Sequence, residues 1–134
     1  MERKLAVITG ADGGMGTEIT RAVALAGYRM IMACCNREKA EAKREWLVKE
    51  TGNPDVEVMY IDLASLASVA DFAERLCVRG ERLALLMNNA GTMETGRRLT
   101  EDGLERTVSV NYVGPYLLTC KLLPLMGEGS RVVN

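Results

Sequence analysis

The sequence predicts an α/β protein, a doubly wound parallel sheet with helices on both faces that is truncated after its fifth strand. Short, continuous runs of Val, Ile, Leu and Met recur at 5–9, 29–34, 56–61, 83–87 and 131–133. Runs this apolar suit strands buried on both faces. Segments of helical spacing lie between them, and glycines punctuate the helix ends.

The first strand, 5–9, leads through a glycine-rich stretch into a helix over 15–26, with Ile19, Ala22, Val23 and Ala26 on one face. Gly27 follows it, and the second strand runs over 29–34. A charge-rich helix over 37–50 turns Ala40, Leu47 and Val48 inward and ends before Gly52. After the strand at 56–61, Ser65 is placed to cap a third helix whose stripe is Leu66, Val69, Ala73, Leu76 and Cys77, closed by Gly80. The strand at 83–87 precedes a fourth helix over 102–125, carrying Leu104, Val108 and Val110 and then a dense apolar stretch from Tyr116. The run at 131–133 reads as a fifth strand. Neither an internal repeat nor a Pro- or Ser-rich linker divides the chain, so residues 1–134 read as one domain.

Composition narrows the function. A chain of 134 residues with a net charge of −1 has no positive excess to draw nucleic acid or an acidic membrane surface, which leaves a small molecule as the expected partner. There is no histidine, which removes Ser-His-Asp hydrolysis and His-ligated zinc together. Cys34, Cys35, Cys77 and Cys120 show no CxxC spacing and sit in apolar runs, so they read as reduced structural thiols acting as small hydrophobes. Met1-Glu2-Arg3-Lys4 and the short apolar run after it are too brief for a signal peptide or a membrane span, and the expected location is cytoplasmic.

The most informative stretch is Thr9-Gly10-Ala11-Asp12-Gly13-Gly14-Met15-Gly16, directly after the first strand and opening the first helix. A helix N-terminus there offers unpaired N–H groups and a positive dipole end, and glycines let the backbone approach a pyrophosphate. The spacing Gly-x-x-x-Gly-x-Gly is a variant of the dinucleotide fingerprint, which makes the expected architecture Rossmann-type and Thr9, Gly10, Asp12, Gly14, Met15 and Gly16 candidate cofactor-binding residues. The alternative is a tight turn and nothing more. No Lys-Ser or Lys-Thr pair follows the last glycine, so an NTPase phosphate loop is disfavoured.

With three further segments in order, this stretch resembles the short-chain dehydrogenase/reductase family: Asp62-Leu63 after the third strand, Asn88-Asn89-Ala90-Gly91 ending the fourth, and Asn111 in the fourth helix. The run Leu99-Thr100-Glu101-Asp102-Gly103-Leu104-Glu105, continuing through Asn111 to Thr119, is similar to the subgroup of retinol dehydrogenases and related carbonyl reductases. The resemblance implies that Gly10, Gly14 and Gly16 cradle the pyrophosphate, that Asp62 accepts a hydrogen bond from the adenine amino group, and that Leu63 lies along the ring. It implies that Asn88, Ala90 and Gly91 border the cofactor ribose, although for Asn88 and Asn89 a purely structural role is almost as good a reading. Asn111 matches the helix asparagine that holds a water in the family's proton relay and is the candidate catalytic residue; a satisfied core amide competes with that role.

The residues that discriminate the dinucleotides lie at the end of the second strand, where this chain reads Cys34-Cys35-Asn36-Arg37. The absence of an acid there argues against NAD, and Arg37 could meet a phosphate or be a solvated helix-start charge; the lean is to NADP over NAD, with Cys35, Asn36 and Arg37 as candidate contacts. In the family a tyrosine is the general acid or base, a lysine four residues later lowers its pKa, and a serine orients the substrate oxygen. No Tyr-x-x-x-Lys occurs here: Tyr28, Tyr60, Tyr112 and Tyr116 are followed at that spacing by Met32, Ala64, Tyr116 and Cys120. The expectation is therefore the incomplete cofactor-binding half of an NAD(P)-dependent oxidoreductase acting on a carbonyl or alcohol substrate, homo-oligomeric when intact. A non-catalytic dinucleotide-binding module is the alternative.

Overall fold

The computed structural model describes residues 3–134, so the part of the N-terminal reading that falls on Met1 and Glu2 lies outside the described residues. Strands β1 (Leu5–Thr9), β2 (Arg29–Cys34), β3 (Val56–Tyr60), β4 (Leu83–Met87) and β5 (Arg131–Val133) form one sheet in the order β3-β2-β1-β4-β5. All pairings are parallel, with Val7 opposite Ile31 on one side and Leu86 on the other.

Helices α1 (Gly14–Leu25) and α2 (Arg37–Thr51) cover one face, where Ile8, Met30 and Met32 meet Ala24, Ala40 and Leu47. On the other face α3 (Leu66–Arg79) and α5 (Gly114–Leu122) bring Val69, Phe72, Leu76, Leu118 and Leu122 onto Val7, Ile31 and Leu86. Every residue of β1 is buried, as expected for a central strand covered on both faces. Each fully buried side chain such as Phe72 or Leu47 stabilises the fold by about 1.5–3 kcal/mol.

Local chemistry sets the element ends. Asn36 and Ser65 cap α2 and α3 by accepting from Lys39 N–H at 3.0 Å and Ser68 N–H at 3.2 Å. Gly52 and Gly80 close the same helices at φ 71° and 65°, a left-handed geometry that a side chain would strain.

The structure corrects several sequence expectations. The strand 56–61 ends at Tyr60 and lies at the sheet edge, so Glu57 and Tyr60 face solvent instead of being buried. On α1, Ala22 and Ala26 are exposed, and the inward face is Gly16, Ile19, Thr20, Val23 and Ala24. The helix expected over 102–125 begins only at Arg106, as α4 (Arg106–Val108). Gly103 at φ 75° turns the chain just before it, where Leu99 and Glu105 form an antiparallel bridge. The Asp102 carboxylate instead accepts the Leu66 N–H at 3.0 Å, at the start of α3. Between α4 and α5 the backbone widens into a π-helical segment, Ser109–Val113. Of the cysteines, Cys34 is buried but Cys35 and Cys120 are exposed, so only part of the set behaves as core.

Candidate functional site

The C-terminal ends of β1 to β4 open on a cleft of about 500 Å³. Its floor is the turn after β1. Gly10 reverses the chain at φ 61°, and a Cβ there would lie 2.8 Å from the Ala90 Cα. A Cβ at Gly16 would collide with the Gly10 carbonyl oxygen, so this glycine lets α1 sit against the turn. At Gly14 a Cβ would meet nothing within 4 Å, and the residue lines the cleft. The three glycines therefore serve different ends: Gly10 and Gly16 are required by the fold, whereas Gly14 keeps space open.

Gly13, the N-cap of α1, offers no side chain to cap the helix, and the first turn holds no acidic residue. The first intrahelical bond at this end runs from Thr17 N–H to the Gly13 carbonyl at 2.8 Å. The N–H groups of Gly14, Met15 and Gly16 are thus left to the cleft together with the positive end of the helix dipole. This is an anion-binding arrangement made of backbone.

Behind the floor, Thr9 is 1 % exposed, and its hydroxyl oxygen accepts the N–H groups of Asn89 and Ala90, each at 3.1 Å. The Asn89 amide donates to the carbonyls of Thr9 and Gly10, each at 3.2 Å. These bonds lock the ends of β1 and β4 together. Across the cleft, Cys34 and Cys35 come from β2, and Ile61, Asp62 and Leu63 from the end of β3. The Asp62 Oδ1 accepts the Ala64 N–H at 2.9 Å, which orients the carboxylate. Burial pushes the Cys34 thiol from its ordinary value of 9.0 up to about 12, and the charge of Asp12 adds to the shift, so this thiol stays protonated. Gly91, Thr92, Arg106 and Val110 complete the lining.

The fold has known counterparts. Residues 4–134 match the short chain dehydrogenase family. This chain belongs to the short-chain dehydrogenase family. It is 38% identical over 133 residues to human (Homo sapiens) retinol dehydrogenase 13, covering 98% of this chain and 40% of that protein. It is 42% identical to dehydrogenase/reductase SDR family member 13 of Bos taurus, covering 97% of this chain and 34% of that one. The chain therefore spans well under half the length of these relatives, which place it in the retinol-dehydrogenase-like subgroup. Among solved structures, a metagenomic short-chain oxidoreductase in complex with NADP superposes with a TM-score of 0.78 at 28% identity, over 91% of this chain and 56% of that one.

Of the residues that the sequence singled out, the fold brings Gly10, Asp12, Gly14, Met15, Gly16, Cys35, Asp62, Leu63, Ala90 and Gly91 together around the cleft. Thr9, Asn36, Arg37, Asn88 and Asn111 are not among its lining. Thr9 is the buried tie just described, Asn36 is spent on capping α2, and Arg37 is exposed at the start of that helix. Asn88 donates to Thr119 Oγ1 at 3.1 Å and Asn134 Oδ1 at 2.9 Å, joining β4 to α5 and the end of β5, while its own Oδ1 is buried without a partner among the described residues.

Asn111 is the candidate catalytic residue, with a satisfied core amide as the competing reading. It is exposed, and both ends of its amide are committed: Oδ1 accepts the Thr92 N–H and Nδ2 donates to the Thr92 carbonyl, each at 2.8 Å. The sequence reading missed the lining role of Gly13, Ala33, Cys34, Ile61, Asn89, Thr92, Arg106 and Val110. Position beside named motif residues could have found most of them. Arg106 carried no such signal, because its place depends on how α4 docks on the sheet.

Proposed function

We propose that the cleft holds a nicotinamide adenine dinucleotide, and that the chain supplies the cofactor-binding half of an oxidoreductase acting on a carbonyl or secondary alcohol with an apolar body. The observation that carries this reading is the start of α1, where uncapped N–H groups face a cleft kept open at Gly14. A pyrophosphate bearing negative charge fits that end, and the apolar wall of Ile61 and Leu63 beside Asp62 suits an adenine. Such a cofactor, when bound, exchanges a hydride between its nicotinamide and the substrate carbon.

The chain's own contributions are binding and orientation. The backbone of Gly14, Met15 and Gly16 neutralises the pyrophosphate, Asp62 accepts from the adenine amino group, and Ala90 and Gly91 border a ribose. Asn111 holds Thr92, and with it the wall beyond Gly91, in place. At the end of β2 the cleft meets Cys35 and no acid, and the first residue of α2 is the exposed Arg37, which together favour NADP over NAD.

The test is a titration of the purified protein followed by NADPH fluorescence. Saturable binding in the micromolar range, with a rise in Tm of several degrees at a hundredfold excess over Kd, is the expected result. No binding of NADPH or NADH at millimolar concentration contradicts the reading. A dinucleotide-binding module without turnover is the second reading, since the residues around the cleft serve to bind and orient a cofactor. Oxidation of NADPH by the protein in the presence of an apolar ketone would exclude it.

A further inference from the structure

Among the described residues, three charged side chains line the cleft: Asp12, Asp62 and Arg106. The two carboxylates suit hydroxyl and amino donors, which leaves Arg106 as the cation without an assignment. Its Nε donates to Glu94 Oε1 at 2.8 Å, a carboxylate whose side chain is only 20% exposed. Its backbone N–H donates to the Arg98 carbonyl at 2.8 Å. The guanidinium is thus tethered along one edge, and its outer nitrogens are not used by that pair.

The position of α4 says which part of a dinucleotide Arg106 would meet. One turn after Arg106, the Ser109 hydroxyl donates to the Leu63 carbonyl at 2.9 Å, and a Cβ at Gly114 would lie 2.8 Å from that same oxygen. The start of the helical segment is therefore bolted to the turn after β3, beside Asp62 and Leu63. In the order β3-β2-β1-β4-β5 that turn lies on the opposite side of β1 from β4 and β5. Val110, the next cleft-lining residue on the same segment, is apolar and 8 % exposed, as suits the edge of a base.

We infer that Arg106 recognises the adenosine end of the dinucleotide by laying its guanidinium plane against the adenine, with Glu94 holding the plane in position. The inference rests on the proposed cofactor reading. It predicts that shape and planarity matter more than charge, because a stacked guanidinium is not replaced by an ammonium.

The experiment measures Kd for NADPH, NADH and reduced nicotinamide mononucleotide, which lacks adenosine, on the wild type and on Arg106→Lys and Arg106→Gln, with the Tm of each ligand-free protein as a control on folding. Both variants are expected to lose about tenfold in affinity for NADPH and NADH alike and nothing for the mononucleotide. A loss confined to NADPH would mean a contact with the ribose phosphate, and wild-type affinity in Arg106→Lys would mean a charge effect; either overturns the inference. Equal loss of the mononucleotide also overturns it, since the substitution would then act on the whole cleft. Failure of the wild type to bind any dinucleotide would sink the cofactor reading itself, whereas intact binding in both variants sinks only the role of Arg106.

Discussion

Gly10, Gly14 and Gly16 look alike in the sequence, and the structure separates them by what a methyl group would touch. At Gly16 it would strike the Gly10 carbonyl oxygen and lie 2.9 Å from the Asn89 amide, both of them fixed. Gly16→Ala is therefore expected to cost about 1–3 kcal/mol, read as a lower urea midpoint at unchanged m. Cys34 makes a second prediction at this scale. Its thiol pKa is raised by burial, so above the ordinary thiol value the unfolded chain releases a proton that the folded protein keeps. Stability attributable to this group is complete below pH 9.0 and is lost as pH rises toward about 12. Cys34→Ala should flatten the fall of Tm with pH over that window; an identical slope in the variant would contradict the assigned cause. Alkylation at neutral pH is expected at Cys35 and Cys120, which are exposed, and not at Cys34.

Among the elements, the strands and the first three helices were legible because each carries its own signal. β1 and β2 are continuous apolar runs, α2 and α3 have Asn36 and Ser65 as caps, and Gly52 and Gly80 close them. The region 102–105 was misread because its apolar spacing fits a helix, while its conformation is decided elsewhere: Gly103 takes a positive φ, and Asp102 is drawn away to the start of α3. The π-helical segment has no sequence signature either. It places Asn111, at the centre of Ser109–Val113, against the backbone of Thr92. Asn111→Ala should leave the global midpoint nearly unchanged and speed hydrogen exchange at the Thr92 amide about tenfold, the consequence of losing its acceptor. Exchange at the wild-type rate would show that Asn111 does not hold this wall.

For the whole molecule, the architecture followed from the alternation of strand and helix, but the order of strands did not. That β3 lies at an edge explains why it is only partly buried, with Val56 and Met59 inside and Glu57 and Tyr60 exposed, although its sequence reads as apolar enough for a centre. The site was legible where a motif sits on the chain turns themselves, as at Gly14 or Asp62, and illegible where an element from far along the chain docks over it, as at Arg106. Among the described residues no helix is long and apolar enough to cross a membrane. The space at Gly14 exists for a ligand and not for the fold. Gly14 has no positive φ and nothing within 4 Å of its missing Cβ, so Gly14→Val should fold with a Tm close to that of the wild type. Calorimetric titration with NADPH should show the variant's affinity reduced by about a hundredfold or more, the effect of a side chain standing where the pyrophosphate must approach. Unchanged NADPH affinity in a folded Gly14→Val protein would contradict the account.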